Sequence, residues 1–335
     1  MALNLISQGF RLPKAGSSEA DYEDAIAIGP AAVAIADGAT ESSFARAWAD
    51  ALTAGFACDP LSARPDLTEL LERVGPLQEQ WHASIAWDRL PWFAEDKARN
   101  GAFAALLTLR FEEPSTVADR EENAHELRWH ALAIGDTCLF QIRDDSLHLA
   151  FPLAESAAFD STPLLLSSNP ARNLQVWDHA QVLNGIFKQG DILLLMTDAL
   201  AKWFLSEFET GNKPWHTLTD LTEQTEFADL TTQLRAAHRL KNDDTSLIRI
   251  QDTSVSPIAT PEPDAETSQA FNSVIERSVR VEEGRPPAAP DSLMPEPSGQ
   301  CERNPEPAPL HGSAEEEQCP APMEERHRAL EEEGV

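Results

Sequence analysis

Cations are scarce in this chain of 335 residues: 26 Lys and Arg stand against 56 Asp and Glu, a formal net charge of −30. Surfaces that bind nucleic acid need clustered cations facing phosphates, so that class of partner is excluded and basic partners or metal cations suit the chain better. Long apolar runs are absent too. No stretch of about 18 apolar residues occurs, and the opening MALNLISQGFRLPK lacks a charged-then-apolar leader. Neither a membrane span nor an export signal is expected, and the chain is read as cytoplasmic. The four cysteines, Cys58, Cys138, Cys301 and Cys319, show no CxxC spacing, which argues against a zinc knuckle and a disulfide framework. Cys58 and Cys138 stand in apolar contexts and are expected as small core residues. No Walker sequence, phosphate-cradling glycine loop or kinase signature is present. His125 and His130 in HELRWH miss HExxH spacing, and strand alternation sends them to opposite faces.

Aromatics and lysine both run out before the end. Tyr22 is the single tyrosine, and all eight tryptophans precede residue 216. Residues 253–335 hold 13 of the 24 prolines, 18 acids, six arginines and no lysine, a net charge of −12 that leaves −18 on residues 1–252. Such a composition buries too little apolar surface to offset chain entropy. The expected organisation is a folded domain over 1–252 and a disordered Pro/Glu-rich acidic tail over 253–335. Within the tail, Phe271, Val274, Ile275 and Val279 recur at helical spacing; a docking helix and a chance cluster are both compatible with that.

Apolar runs suited to strands lie at Ala25–Ile28, Ala32–Ala36, Ala102–Phe111, Leu127–Ile134, Cys138–Ile142, Leu164–Ser167, Asp191–Thr197 and Ser246–Ile250. Helical patterns occupy Ser42–Phe56, opened by a Thr40/Ser42 cap, then Asp66–Ser84, Ala199–Phe208 and Glu223–His238. Strands come in consecutive pairs with short joins, Ala25–Ile28 with Ala32–Ala36 and Leu127–Ile134 with Cys138–Ile142. That favours antiparallel hairpins and a layered α+β fold. Trp81, Trp87, Trp92 and Phe93 are expected either in the core or in a substrate-side flap.

Several of these apolar runs break at an aspartate: Asp24, Asp37, Asp136, Asp198 and Asp243/Asp244. Taken singly, an Asp at such a corner is ordinarily a turn or a helix cap. Carboxylates converging on one sheet edge, however, repel one another unless cations neutralise them, and all-oxygen ligands select hard ions such as Mg²⁺ or Mn²⁺.

Six stretches in order carry a family resemblance: YEDA (Tyr22–Ala25), AIADGA (Ala34–Ala39), GAFAALL (Gly101–Leu107), LAIGDTCLF (Leu132–Phe140), LLLMTDALAKW (Leu193–Trp203) and NDDTSLI (Asn242–Ile248). Together they resemble the metal-dependent protein phosphatases of the type 2C family, bacterial type, over about residues 20–250. The resemblance implies a four-layer α-β-β-α sandwich of two antiparallel sheets with a metal centre at one end. It also implies hydrolysis of phosphoserine and phosphothreonine in proteins by a hydroxide shared between two Mn²⁺ or Mg²⁺ ions. By position, Asp37 would bridge the ions, the Gly38 carbonyl would ligate one, and Asp198 and Asp243 would complete the ligand set of the second ion. Asp243 is preferred to Asp244 by its place in the pattern. Asp24, with Glu23, would hold waters on the metals, and Asp136 with Asp198 resembles the third-metal site of bacterial members. The implied partners are a phosphorylated protein substrate and an opposing Ser/Thr kinase.

The chain departs from the pattern at several positions. Ala39 stands where many members have His, and Glu19 stands where they often place a phosphate-holding Arg. Either Arg11, Lys14 or Lys97 would then supply that cation, with Lys14 preferred because its loop lies just upstream of the acidic pair, or the substrate pose would differ. Ala199 replaces a glycine after Asp198, and Phe103 replaces a small hydroxyl residue. The alternative to an enzyme is a catalytically weak binding module that recruits a kinase or phosphoprotein through its surface and acidic tail.

Overall fold

The computed structural model describes residues 4–30, 32–112, 126–159 and 163–253, the side chain of Phe93 excepted. The expected tail beyond 253, the Phe271–Val279 pattern, Cys301, Cys319 and His125 lie outside the described residues. The strands are β1 (Leu5–Leu12), β2 (Ala25–Ile28), β3 (Ala32–Gly38), β4 (Phe103–Phe111), β5 (Glu126–Ile134), β6 (Cys138–Arg143), β7 (Ser146–Phe151), β8 (Leu166–Ser167), β9 (Gln181–Lys188), β10 (Ile192–Met196) and β11 (Thr245–Asp252). The helices are α1 (Ala45–Cys58), α2 (Leu67–Ser84), α3 (Trp92–Arg99), α4 (Asp198–Glu209), α5 (Pro214–Thr219) and α6 (Gln224–Ala236).

The strands form two antiparallel sheets, one in the order β2-β3-β4-β5-β9 with β8 beside β4, the other in the order β1-β11-β10-β6-β7. Strand side chains alternate between faces, and that alternation explains the layering. On β3, Ala34 and Ala36 pack toward α1 and α2, where Trp48, Leu52, Phe56 and Trp81 are buried. Their neighbours Val33 and Ile35 face inward and meet Leu193, Leu195, Ile248 and Ile250 of the second sheet. The far face of that sheet presents Phe140, Leu194 and Met196 to Leu200, Phe204, Trp215 and Phe227 of α4, α5 and α6. Three apolar layers therefore separate four structural ones, as expected for an α-β-β-α sandwich. Among the described residues, no helix is long and apolar enough to cross a membrane.

Two expectations need correction. The Leu127–Ile134 and Cys138–Ile142 runs do not pair as a hairpin: β5 joins β4 and β9 in one sheet, and β6 joins β10 and β7 in the other. Ile134 packs on the α1–α2 layer while Cys138 packs on the α4–α6 layer, so burying both drives the chain across from one sheet to the other. Cys58, expected in the core, is exposed at the last position of α1, whereas Cys138 is buried. Of the aromatic group, Trp81 is buried but Trp92 is 77% exposed. Three strands, β1, β7 and β9, and two short helices, α3 and α5, had no signal in the expected pattern.

Candidate metal centre

Antiparallel register places the five acids singled out from the sequence at one end of the sandwich. Ala25 pairs with Ala36 and Asp37 pairs with Ala105, so the start of β2, the end of β3 and the start of β4 share an edge. Leu106 pairs with Ile134, which brings the end of β5, and with it the Gly135-Asp136 corner, to the same edge. In the facing sheet, Met196 pairs with both Cys138 and Leu247, and Leu12 pairs with Thr245. Asp24, Asp37, Asp136, Asp198 and Asp243 thus arrive from separate segments, together with the loop after β1 that carries Lys14.

Two glycines make this approach possible. A Cβ on Gly38 would stand 2.6 Å from the Glu23 carbonyl oxygen and 3.1 Å from the Ala45 Cβ, so β3 can end against these segments only without a side chain. Gly135 has φ +93°, and a Cβ there would lie 2.7 Å from that of Ala105. The crossing between sheets at Asp136 turns on this residue. After Gly38 the loop is tied down by Ser42, whose hydroxyl donates to the Ala39 carbonyl (2.9 Å) and accepts from Phe103 N (3.2 Å). Ser42 is therefore a loop clamp; the expected Thr40/Ser42 cap is not formed, and α1 starts after Phe44 with no side-chain cap.

The electrostatics follow from the crowding. Asp24 is 2% exposed; burial drives its pKa well above the ordinary carboxylate value, and the charges of Asp244 and Asp198 add to the shift against the opposing Ser246 and Thr197 hydroxyls. Asp37 is pushed up in the same way, by burial first and then by Asp24, Asp198, Asp136 and Asp243. Burial and Asp198 raise Asp136 to about 6.

Asp243 and Asp244 divide their labour. Asp244 accepts from the backbone amides of Lys14 (2.8 Å) and Glu23 (2.7 Å), so both its oxygens clasp neighbouring segments. Asp243 instead pairs with Lys241, whose ammonium lies 2.6 Å from Asp243 Oδ2 and 3.3 Å from Asp198 Oδ2. Arg235 of α6 braces this edge from behind by donating to the carbonyls of Pro13 (2.7 Å) and Asp243 (2.5 Å) and to the Thr245 hydroxyl (2.9 Å). Ser246 holds Asp24: its hydroxyl donates to Asp24 Oδ2 (2.6 Å) and shares a 2.5 Å hydrogen bond with the hydroxyl of buried Tyr22. Lys14 sits on the rim, with Nζ 3.3 Å from Thr40 Oγ1 and 3.8 Å from Glu23 Oε2. Of the other cations considered, Arg11 faces Glu19 at 3.7 Å and Lys97 lies in the last turn of α3. His130 binds the Asn184 side-chain amide (2.7 Å) and Glu112 (3.3 Å) on the outer strands, an arrangement that is structural.

Sequence reasoning missed Lys241, Ser246 and Arg235. Ser246 and Arg235 had no signal beyond their types, whereas Lys241 stands two residues before a ligand position and is a cation in a strongly acidic chain.

Among the described residues, no three His, Cys, Asp or Glu side chains close around one point as metal ligands would. The Lys241 ammonium lies between two of the acids, Asp198 and Asp243. The donor set nevertheless fits a hard divalent ion. It is all oxygen, and both Asp24 Oδ1 and Glu23 Oε2 are buried with no hydrogen-bond partner.

No family model matches the sequence, and no curated protein matches it. Solved structures are similar at low identity. The serine/threonine phosphatase PstP/Ppp of Mycobacterium tuberculosis is 17% identical, with 74% of this chain and 98% of that one covered and a TM-score of 0.49. The photosystem II phosphatase PBCP is 14% identical over 75% of this chain and 100% of that one, with a TM-score of 0.46. The catalytic domain of PstP in complex with two manganese ions is 16% identical over 74% and 99%, with a TM-score of 0.44.

Proposed function

We propose that this chain is a metal-dependent phosphatase of the type 2C family that hydrolyses phosphoserine and phosphothreonine in cytoplasmic proteins. The observation that carries the reading is the arrival of Asp24, Asp37, Asp136, Asp198 and Asp243 at one sheet edge, with three of them pushed above the ordinary carboxylate range by burial and by one another. A structure without a cationic ligand would have little use for such an arrangement.

In this reading Asp37, the Gly38 carbonyl, Asp198 and Asp243 hold two Mn²⁺ or Mg²⁺ ions, and Asp136 with Asp198 offers a third position. Bound there, such ions lower the pKa of water and offset charge on phosphoryl oxygens. The chain's own residues do the rest. Asp37 stands among the other carboxylates and keeps the centre compact. Asp24 is fixed at Oδ2 by Ser246 and offers Oδ1 as the acceptor that orients a water. Lys14, at the rim beside Thr40, supplies the cation for the substrate phosphate that Glu19 cannot provide.

The test is turnover of p-nitrophenyl phosphate and of a phosphothreonine peptide with Mn²⁺. Asp37→Asn should reduce turnover to background while the far-UV spectrum is unchanged, and a chelator should do the same to the wild-type chain. Robust turnover in chelator would exclude the mechanism.

A second reading, a binding module with weak catalysis, is favoured by the position of Lys241 between Asp198 and Asp243. Micromolar Mn²⁺ binding without turnover on any phosphopeptide would select it.

A further inference from the structure

Lys241 is a cation set directly between two of the proposed metal-ligating acids, and the phosphatase reading assigns it no part. It lies just before β11, with Nζ 2.6 Å from Asp243 Oδ2 and 3.3 Å from Asp198 Oδ2. Those distances hold the two oxygens within about 6 Å of each other, against about 4 Å for two oxygens on opposite sides of one hard divalent ion with bonds of 2.1 Å. The ammonium therefore occupies the volume a divalent ion would need to be shared by Asp198 and Asp243. Its charge also reaches Asp136, where it opposes the acids that surround it.

The side chain is 61% exposed and flexible, so it can swing out to solvent without disturbing the core. Lys14, the other cation near the edge, contacts Glu23 and Thr40 and leaves Asp198 and Asp243 to Lys241.

We propose that Lys241 is a tethered counter-ion: a monovalent cation built into the chain that neutralises Asp198 and Asp243 until a divalent ion displaces it. The proposal rests on the metal-centre reading and adds to it a device that sets metal affinity. Held this way, the carboxylates stay assembled before loading, and the ion that enters must compete with an intramolecular partner whose effective concentration is high. The centre is then weak at low divalent concentration and fills as that concentration rises.

Mn²⁺ titration by calorimetry on the full chain, at one pH and ionic strength, separates the possibilities, with thermal unfolding in chelator as the companion measurement. Lys241→Gln removes the charge at an exposed position. It should bind Mn²⁺ about tenfold tighter than the wild type, a change of about 1.4 kcal/mol, and should unfold at a lower temperature in chelator. Lys241→Arg keeps the charge and should bind Mn²⁺ no more tightly than the wild type. An unchanged or weaker affinity in Lys241→Gln overturns the proposal whatever the unfolding temperature, and so does an Lys241→Arg affinity as tight as that of Lys241→Gln. If neither the wild type nor Lys241→Gln binds Mn²⁺, the metal-centre reading itself fails and the proposal with it.

Discussion

Asp24 and Asp191 are both 2% exposed, yet their surroundings are opposite. Asp191, at the start of β10, accepts hydrogen bonds from Arg143 Nε (2.8 Å) and Nη2 (2.6 Å), Gln141 Nε2 (2.7 Å) and the Lys188 amide (2.8 Å). Asp24 accepts from Ser246 at one oxygen, has no hydrogen-bond partner at the other, and feels Asp244 and Asp198 nearby. One end of the sandwich answers its buried acid with a guanidinium and amides, and the other surrounds its acids with more acids. Burial alone therefore says little about role. A satisfied acid is part of the fold, whereas an unsatisfied one reserves oxygen atoms for something that arrives later.

Substitutions at the two ends should move in opposite directions. Asp191→Ala leaves Arg143 with no carboxylate in a largely buried setting and should destabilise the protein by about 3 kcal/mol, read as a fall in the urea midpoint with unchanged slope. A loss below about 1 kcal/mol would place the pair among ordinary surface ion pairs and erase the contrast. Asp24→Asn removes a charge that its neighbours oppose. It should leave the metal-free protein more stable at pH 8, because burial and the neighbouring acids disfavour the charged form of Asp24 in the native state. The same variant should lose Mn²⁺-dependent turnover.

The smallest effect is the pH dependence. A carboxyl whose folded pKa lies above its unfolded value holds its proton more tightly in the native state, so its contribution to stability is complete below the unfolded pKa and disappears as pH rises through the folded one. For Asp136 that window runs from 3.8 to about 6, and Asp24 and Asp37 shift in the same direction. Metal-free protein should accordingly lose stability as pH rises through this range, and the increase in Tm caused by Mn²⁺ should be larger at pH 7.5 than at pH 5. A Tm increase independent of pH would mean that the acids do not titrate against the metal.

Much of the fold was legible because its central strands are buried on both faces. β3, β4 and β10 read as unbroken apolar runs, and each lies inside a sheet. The three strands without a signal, β1, β7 and β9, are all edge strands, each with a single buried residue and the rest partly or fully exposed. LISQGFRL shows only one fully buried residue, Phe10, so its period-two pattern is diluted by polar residues that water tolerates at an edge. The join between β5 and β6 was misread for a different reason: a short connection is compatible with a hairpin or a crossing between sheets, and only the two apolar layers distinguish them.

The linear sequence by itself determined the acidic character, the placement of aspartates at strand boundaries and the alternation that turns one face of each strand to a helix and the other to the opposite sheet. These are local properties, set by residue type and period. Tertiary structure alone decided which acids meet, that Asp244 clasps backbone while Asp243 does not, and that Lys241 lies between Asp198 and Asp243. Those outcomes depend on register between strands from tens to more than two hundred residues apart, and no single segment carries that information.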